Sequence, residues 1–209
     1  MNTSRFPLRL GVLISGGGRT LVNLHEHIQH GKLNAKISVV ISSLSKVKGI
    51  ERAKSIGLPV VVIRLKDYPD TDSFSDAITW TLEEAEVDLA CLAGWTCFWR
   101  IPERWMGRVM NIHPALLPKH SGKGFYGHRV HEAVLAAGES ESGCTVHFAN
   151  NQYDAGPIIL QRKVPVLPGD DADTLASRVF EQECVAYPEA IRLFAEGRIA
   201  LKDGQVVRP

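Results

Sequence analysis

Apolar positions in the first half of the chain fall in short unbroken runs, and each run ends at small or polar residues before helical spacing begins. Residues 8–14 are almost wholly apolar up to Ser15-Gly16-Gly17-Gly18, which predicts a strand buried on both faces and ended by a glycine turn. Leu21, Leu24 and Ile28 then recur at a helical period. Residues 37–41 predict a second strand, 49–56 a helix broken by Gly57-Leu58-Pro59, and 60–63 a third strand. A helix over 73–85 and a strand over 87–93 that stops at Gly94 complete the alternation. The fold class this predicts is α/β, a Rossmann-like open, mostly parallel sheet with helices on both faces. Ligands of such sheets lie outside the carboxyl ends of the strands, where Gly16 to Gly18, Gly94 and the region of Asn111 all fall.

The second half has a different pattern. A strand over 109–113 leads into a loop rich in Gly, Lys and His, then a helix over 130–137. Alternation predicts strands over 144–149 and 158–166, and 174–194 reads as a helix interrupted near Pro188. The tail, 199–207, reads as a hairpin around Asp203-Gly204. With neither repeats nor a linker, residues 1–209 are expected to form one domain, 1–95 a phosphate-binding half and 96–209 the other half.

Charge and composition narrow the function. Among 209 residues, 24 basic and 23 acidic side chains give a formal charge of +1, which lacks the footprint of a dedicated nucleic-acid binder, so any anion site must be local. Cys91, Cys97, Cys144 and Cys184 form no C-x-x-C pair, and reduced thiols in a cytoplasmic protein are expected. Residues 1–10 are too short and too interrupted for a secretory signal, and no apolar run is long enough to span a membrane, so a soluble protein is expected. His128, His131 and Glu132 lack the company of a zinc motif, and no metal is expected.

Chemistry concentrates in Asn111-Ile112-His113-Pro114. Two residues apart on a strand, Asn111 and His113 point to one face, an amide donor beside a titratable ring. Asn can hydrogen-bond a carbonyl oxygen that is becoming an oxyanion, and His can carry a proton near neutral pH. Asp154, in Asp154-Ala155-Gly156-Pro157, is a carboxylate that would pair with the imidazole and orient it. Ser15 to Thr20 turns from strand to helix without the nucleotide-hydrolase or dinucleotide fingerprint, and suits a single phosphate at a helix N-terminus. Trp95, Phe98, Trp99 and Trp105 cluster after the fourth strand, either as core or as walls for a flat heterocycle.

Through Asn111 to Pro118 and Gly143 to Ile159, and more loosely from Val12 to about Arg198, the chain resembles the folate-dependent formyltransferases that act on phosphoribosylglycinamide. The resemblance implies 10-formyltetrahydrofolate as formyl donor, 5'-phosphoribosylglycinamide as acceptor, and Asn111, His113 and Asp154 as catalytic residues. It also implies that Gly16, Gly17, Gly18, Arg19 and Thr20 bind the phosphate and Glu183 the ribose. Trp95, Thr96, Cys97, Met110, Asn111, Asn150, Asn151, Gln152, Tyr153 and Asp154 would line the folate pocket. Gly17 and Arg19 stand where the family more often has asparagine and serine, Phe180 where many members have lysine, and Arg100 is displaced from the position of a common arginine. Within the family, methionyl-tRNA formyltransferases would need a further carboxy-terminal module and the deformylases an amino-terminal one. A sugar-nucleotide N-formyltransferase, or a non-catalytic phosphate-binding module, is the alternative. Partners are expected to be the small substrates, without nucleic acid or membrane, and a homodimer is left open.

Overall fold

Buried strands alternate with amphipathic helices along the computed structural model, which describes residues 7–209. The reading of the first residues as unfit for a secretory signal falls mostly outside that range. The elements are β1 (Leu8–Ile14), α1 (Arg19–Gln29), β2 (Ala35–Ser42), α2 (Lys48–Ser55), β3 (Val60–Val62), α3 (Thr71–Glu84), β4 (Leu89–Leu92) and β5 (Val109–His113). They continue with α4 (His128–Ala136), β6 (Glu141–Phe148), β7 (Ile158–Pro165), α5 (Ala172–Ala195), β8 (Ala200–Lys202) and β9 (Gln205–Val207). Seven strands form one sheet in the order β3-β2-β1-β4-β5-β6-β7, and β8 and β9 make a separate hairpin. From β3 to β5 neighbouring strands run parallel, while β6 pairs antiparallel with both β5 and β7.

The strand alternation divides the core into two layers. Leu10, Val12 and Ile14 of β1, Cys91 of β4 and Met110 of β5 pack with Leu21 and Leu24 of α1 and Val179 and Ile191 of α5. Leu13, Ile41, Ala90 and Val109 face the other way, onto Phe74, Ile78 and Leu82 of α3. β2 and β3 extend the sheet on one side of β1 and the chain then crosses from β3 to β4 on the other side, so the crevice where order reverses opens between the carboxyl ends of β1 and β4. There Ser15 N–H donates to Gly94 O at 3.0 Å, and Ser15 Oγ accepts from Thr96 N–H at 2.9 Å.

One expectation needs correction. The helix at the carboxyl end is not interrupted at Pro188; α5 runs unbroken over 24 residues from an Asp171–Thr174 capping box. Proline removes the N–H that would bond the carbonyl four residues earlier, that of Cys184. Asn23 of α1 supplies the missing donor, its Nδ2 lying 3.0 Å from Cys184 O. Replacing Asn23 with Ala strands that acceptor and is expected to cost about 1–3 kcal/mol in urea unfolding. An unchanged unfolding midpoint would show that the helix tolerates Pro188 unaided.

Candidate active site

At the carboxyl end of β5 the pleat places Asn111 and His113 on the α3 side of the sheet, with Ile112 in the opposite layer. The loop after β6 brings Asp154 beneath them. Its Oδ1 accepts from Asn111 Nδ2 at 3.3 Å and lies 3.5 Å from His113 Nδ1; its Oδ2 accepts from Gly122 N–H at 3.0 Å. Asp154 adopts φ 52°, a left-handed conformation that aspartate tolerates better than most residues and that gathers at functional sites.

The imidazole is anchored differently from the sequence expectation. Its tighter partner is a backbone carbonyl, His120 O, 2.9 Å from His113 Nε2. A carbonyl only accepts, so Nε2 carries the proton and Nδ1 faces Asp154. Spacing in the sequence could not reveal His120 O or Gly122 N–H, because both are main-chain groups of a loop. His147 was also missed. It stands directly across from Asn111 in the β5–β6 ladder, and its Nε2 lies 3.0 Å from Asn111 Nδ2. The polar beat of Thr145 and His147 against buried Cys144, Val146 and Phe148 was a signal for it.

Beside this triad lies a cleft lined by Trp95, Cys97, Phe98, Asn111, His147, Asn150, Gln152, Tyr153 and Asp154. Trp95 stacks on Phe74, with ring planes 9° apart, and Phe98 meets Tyr153 at 5.5 Å between centroids. Burial pushes the Cys97 thiol upward, away from nucleophilic use. Three of the expected folate-pocket side chains are absent from this wall. Met110 is fully buried in the α5 layer because strand alternation turns it away from Asn111, and only its carbonyl, bonded by Tyr187 Oη at 2.8 Å, lies near the strand end. Asn151 instead clamps Ile101, accepting its N–H at 2.8 Å and donating to its carbonyl at 3.0 Å. Thr96 contributes its N–H to Ser15. Trp99 and Trp105 pack edge-on in the α3 layer, Trp99 beside the cleft and Trp105 in the core proper. Arg100 pairs with Asp72 of α3 at the surface.

The glycine turn meets α2 through backbone. Gly18 has φ 70°, and a Cβ on it would lie 2.8 Å from Gly49 Cα. A side chain at either position would push α2 away. Without a side-chain cap, the first N–H groups of α1 remain available to an anion. Two cations flank the turn: Arg52 of α2 donates to Gly17 O at 2.6 Å, and the Arg19 guanidinium lies 3.7 Å above the Phe180 ring. Arg52 was not anticipated.

Glu183 of α5 completes this end. Burial pushes its carboxyl up to about 7, and the Arg19 charge pulls in the opposite direction. Because the unfolded carboxyl titrates lower, the unfolded chain binds fewer protons than the fold between that value and about 7, so stability falls as pH rises through this window. Glu183→Gln should therefore gain stability relative to the parent by up to about 3 kcal/mol at pH 8 and almost none at pH 4, measured by urea unfolding. An equal gain at both pH values would refute the assignment.

A further concavity, about 750 Å³, lies at the opposite ends of the strands, where Arg9 is already paired with Asp88. No group of three or more potential metal ligands occurs among the described residues, and none of their helices is long and apolar enough to cross a membrane.

A mostly parallel sheet of α/β type thus carries an uncapped glycine turn at one strand end and an Asn–His–Asp set at another. Residues 8–191 match the formyl transferase family model, and the chain belongs to that family. It is 39% identical to the phosphoribosylglycinamide formyltransferase of Haemophilus influenzae, over 93% of this chain and 91% of that protein. It is 43% identical to the trifunctional purine biosynthetic protein adenosine-3 of Drosophila pseudoobscura pseudoobscura; 91% of the chain is covered, but only 14% of that much longer relative. The crystal structure of glycinamide ribonucleotide transformylase 1 from Symbiobacterium toebii superposes with a TM-score of 0.89 at 39% identity, covering 97% of this chain and 94% of that one.

Proposed function

We propose that the chain transfers the formyl group of 10-formyltetrahydrofolate to the amine of 5'-phosphoribosylglycinamide, a step of de novo purine biosynthesis. The observation that carries this reading is the convergence of Asn111, His113 and Asp154 between an aromatic cleft and a glycine turn suited to phosphate. The similarity to phosphoribosylglycinamide formyltransferases over almost the full chain supports it. The aromatic lining of the cleft, with Trp95 stacked on Phe74 and Phe98 against Tyr153, suits a flat heterocycle.

In this reading residues 1–95 bind the phosphate and 96–209 hold the folate and the catalytic groups, with Glu183 reaching back toward the ribose. The α1 N-terminus, Arg19 and Thr20 anchor the phosphate. The neutral amine attacks the formyl carbon; a new N–C bond forms, and the bond from that carbon to the folate nitrogen breaks. An Asn111 N–H and His113, protonated at Nδ1, stabilise the charge on the formyl oxygen. The proton released by the amine passes through His113 or a water held by Asp154 to the departing folate nitrogen. Holding both substrates together removes translational freedom, and no metal takes part. The partners are the two small substrates in a cytoplasmic protein, without nucleic acid or membrane.

With 10-formyltetrahydrofolate as donor, turnover is expected with 5'-phosphoribosylglycinamide and not with an amino-sugar nucleotide, followed by the absorbance of released tetrahydrofolate. Preference for the sugar nucleotide would overturn the acceptor assignment. Phosphate-ligand binding without any turnover would instead support the non-catalytic module.

A further inference from the structure

We infer that His147 is a positioning residue, which acts through its Nε2 lone pair to fix the Asn111 amide with its NH2 group turned into the site. This inference rests on the proposed role of Asn111 at the formyl oxygen. An asparagine amide is almost symmetric in shape, so its neighbours decide which end points where. Rotated by half a turn, Asn111 would offer a carbonyl oxygen to the formyl oxygen and repel it.

The tautomer of His147 follows from its contacts. Its Nδ1 lies 3.0 Å from Phe148 O, an atom that can only accept, so Nδ1 carries the proton and Nε2 is bare. The Asn111 Nδ2 at 3.0 Å must then donate to it. That bond takes one amide hydrogen. The other points toward Asp154 Oδ1 at 3.3 Å, a long contact that a formyl oxygen can replace. Two acceptors, His147 Nε2 and Asp154 Oδ1, thus select the same amide orientation.

Local backbone geometry holds the ring in place. The ladder between β6 and β7 shifts register at Val146/His147, the kind of bulge that re-aims a side chain beside an active site. Gly156 permits this, because a Cβ there would lie 1.8 Å from Phe148 O and 3.3 Å from His147 Nδ1. His147 is 1% exposed. The titratable groups facing it are His113 of β5 and Asp154 of the loop after β6. Burial holds the imidazole below its ordinary range and therefore neutral, with the Phe148 carbonyl and Asp154 opposing in part.

The test begins with the free wild-type protein, so it depends neither on activity nor on a variant folding. Nitrogen-15 NMR should show His147 protonated at Nδ1 and bare at Nε2 between about pH 6 and 8, with coupling across the bond to Asn111 Nδ2. An Nε2–H tautomer or an imidazolium in that range would overturn the proposal. Kinetically, H147L should lower kcat about 20-fold or more with both KM values within about threefold, and H147Q, whose Oε1 can take the place of the lone pair, should recover most of it. In an N111A background H147L should cost less than about twofold, because the group it positions is gone. Equal losses in both backgrounds, or an unaffected kcat in H147L, would also overturn it. If the parent itself failed to transfer formyl groups, the proposed function would fall while the NMR result on His147 stood.

Discussion

Asp154→Asn is expected to lower kcat about 10²- to 10⁴-fold while leaving the KM of both substrates within a few-fold. The substitution keeps size and shape, and asparagine tolerates the left-handed backbone of position 154 as well as aspartate does. Its side-chain oxygen can still accept from Gly122 N–H, so the loop contact survives. What disappears is the negative charge facing His113 Nδ1 and Asn111 Nδ2. The loss should therefore fall on the chemical step, which steady-state and single-turnover kinetics together would separate from binding. A defect confined to substrate affinity would place Asp154 in a binding role only.

His113→Ala should have a comparable effect, about 10²- to 10⁴-fold on kcat. It removes the group proposed to stabilise the formyl oxygen and relay the proton, together with the 2.9 Å anchor to His120 O. With His113 and Asp154 acting on the same proton, as proposed, the double variant should be scarcely slower than the slower single variant. Multiplicative losses in the double variant would mean that the two residues work independently. A kcat near that of the parent in H113A would remove the imidazole from the mechanism altogether.

Much of this arrangement was legible in the sequence because it follows from periodicity. The apolar runs of β1, β2 and β4 read as buried parallel strands, and the period of β5 alone puts Asn111 and His113 on one face. The same period excludes the Met110 side chain from the cleft, a consequence of its position next to Asn111. What the sequence could not show is long-range or main-chain. The carbonyl that Pro188 leaves without its helical donor is met by Asn23, 161 residues away. The imidazole is oriented by His120 O and the carboxylate by Gly122 N–H, backbone groups that carry no residue-type signature. Arg52 reaches the glycine turn only because Gly18 and Gly49 let α2 approach it.

Family membership, the glycine turn and the triad support the proposed reaction, and direct observation of its product tests it most plainly. The protein would be mixed with 10-formyltetrahydrofolate labelled with carbon-13 in the formyl group and with 5'-phosphoribosylglycinamide, and the label followed by NMR. The account predicts that the label moves to the glycinamide nitrogen in the parent and is transferred at least about 10²-fold more slowly in D154N. Label that stays on the folate, or that appears as free formate, would contradict it.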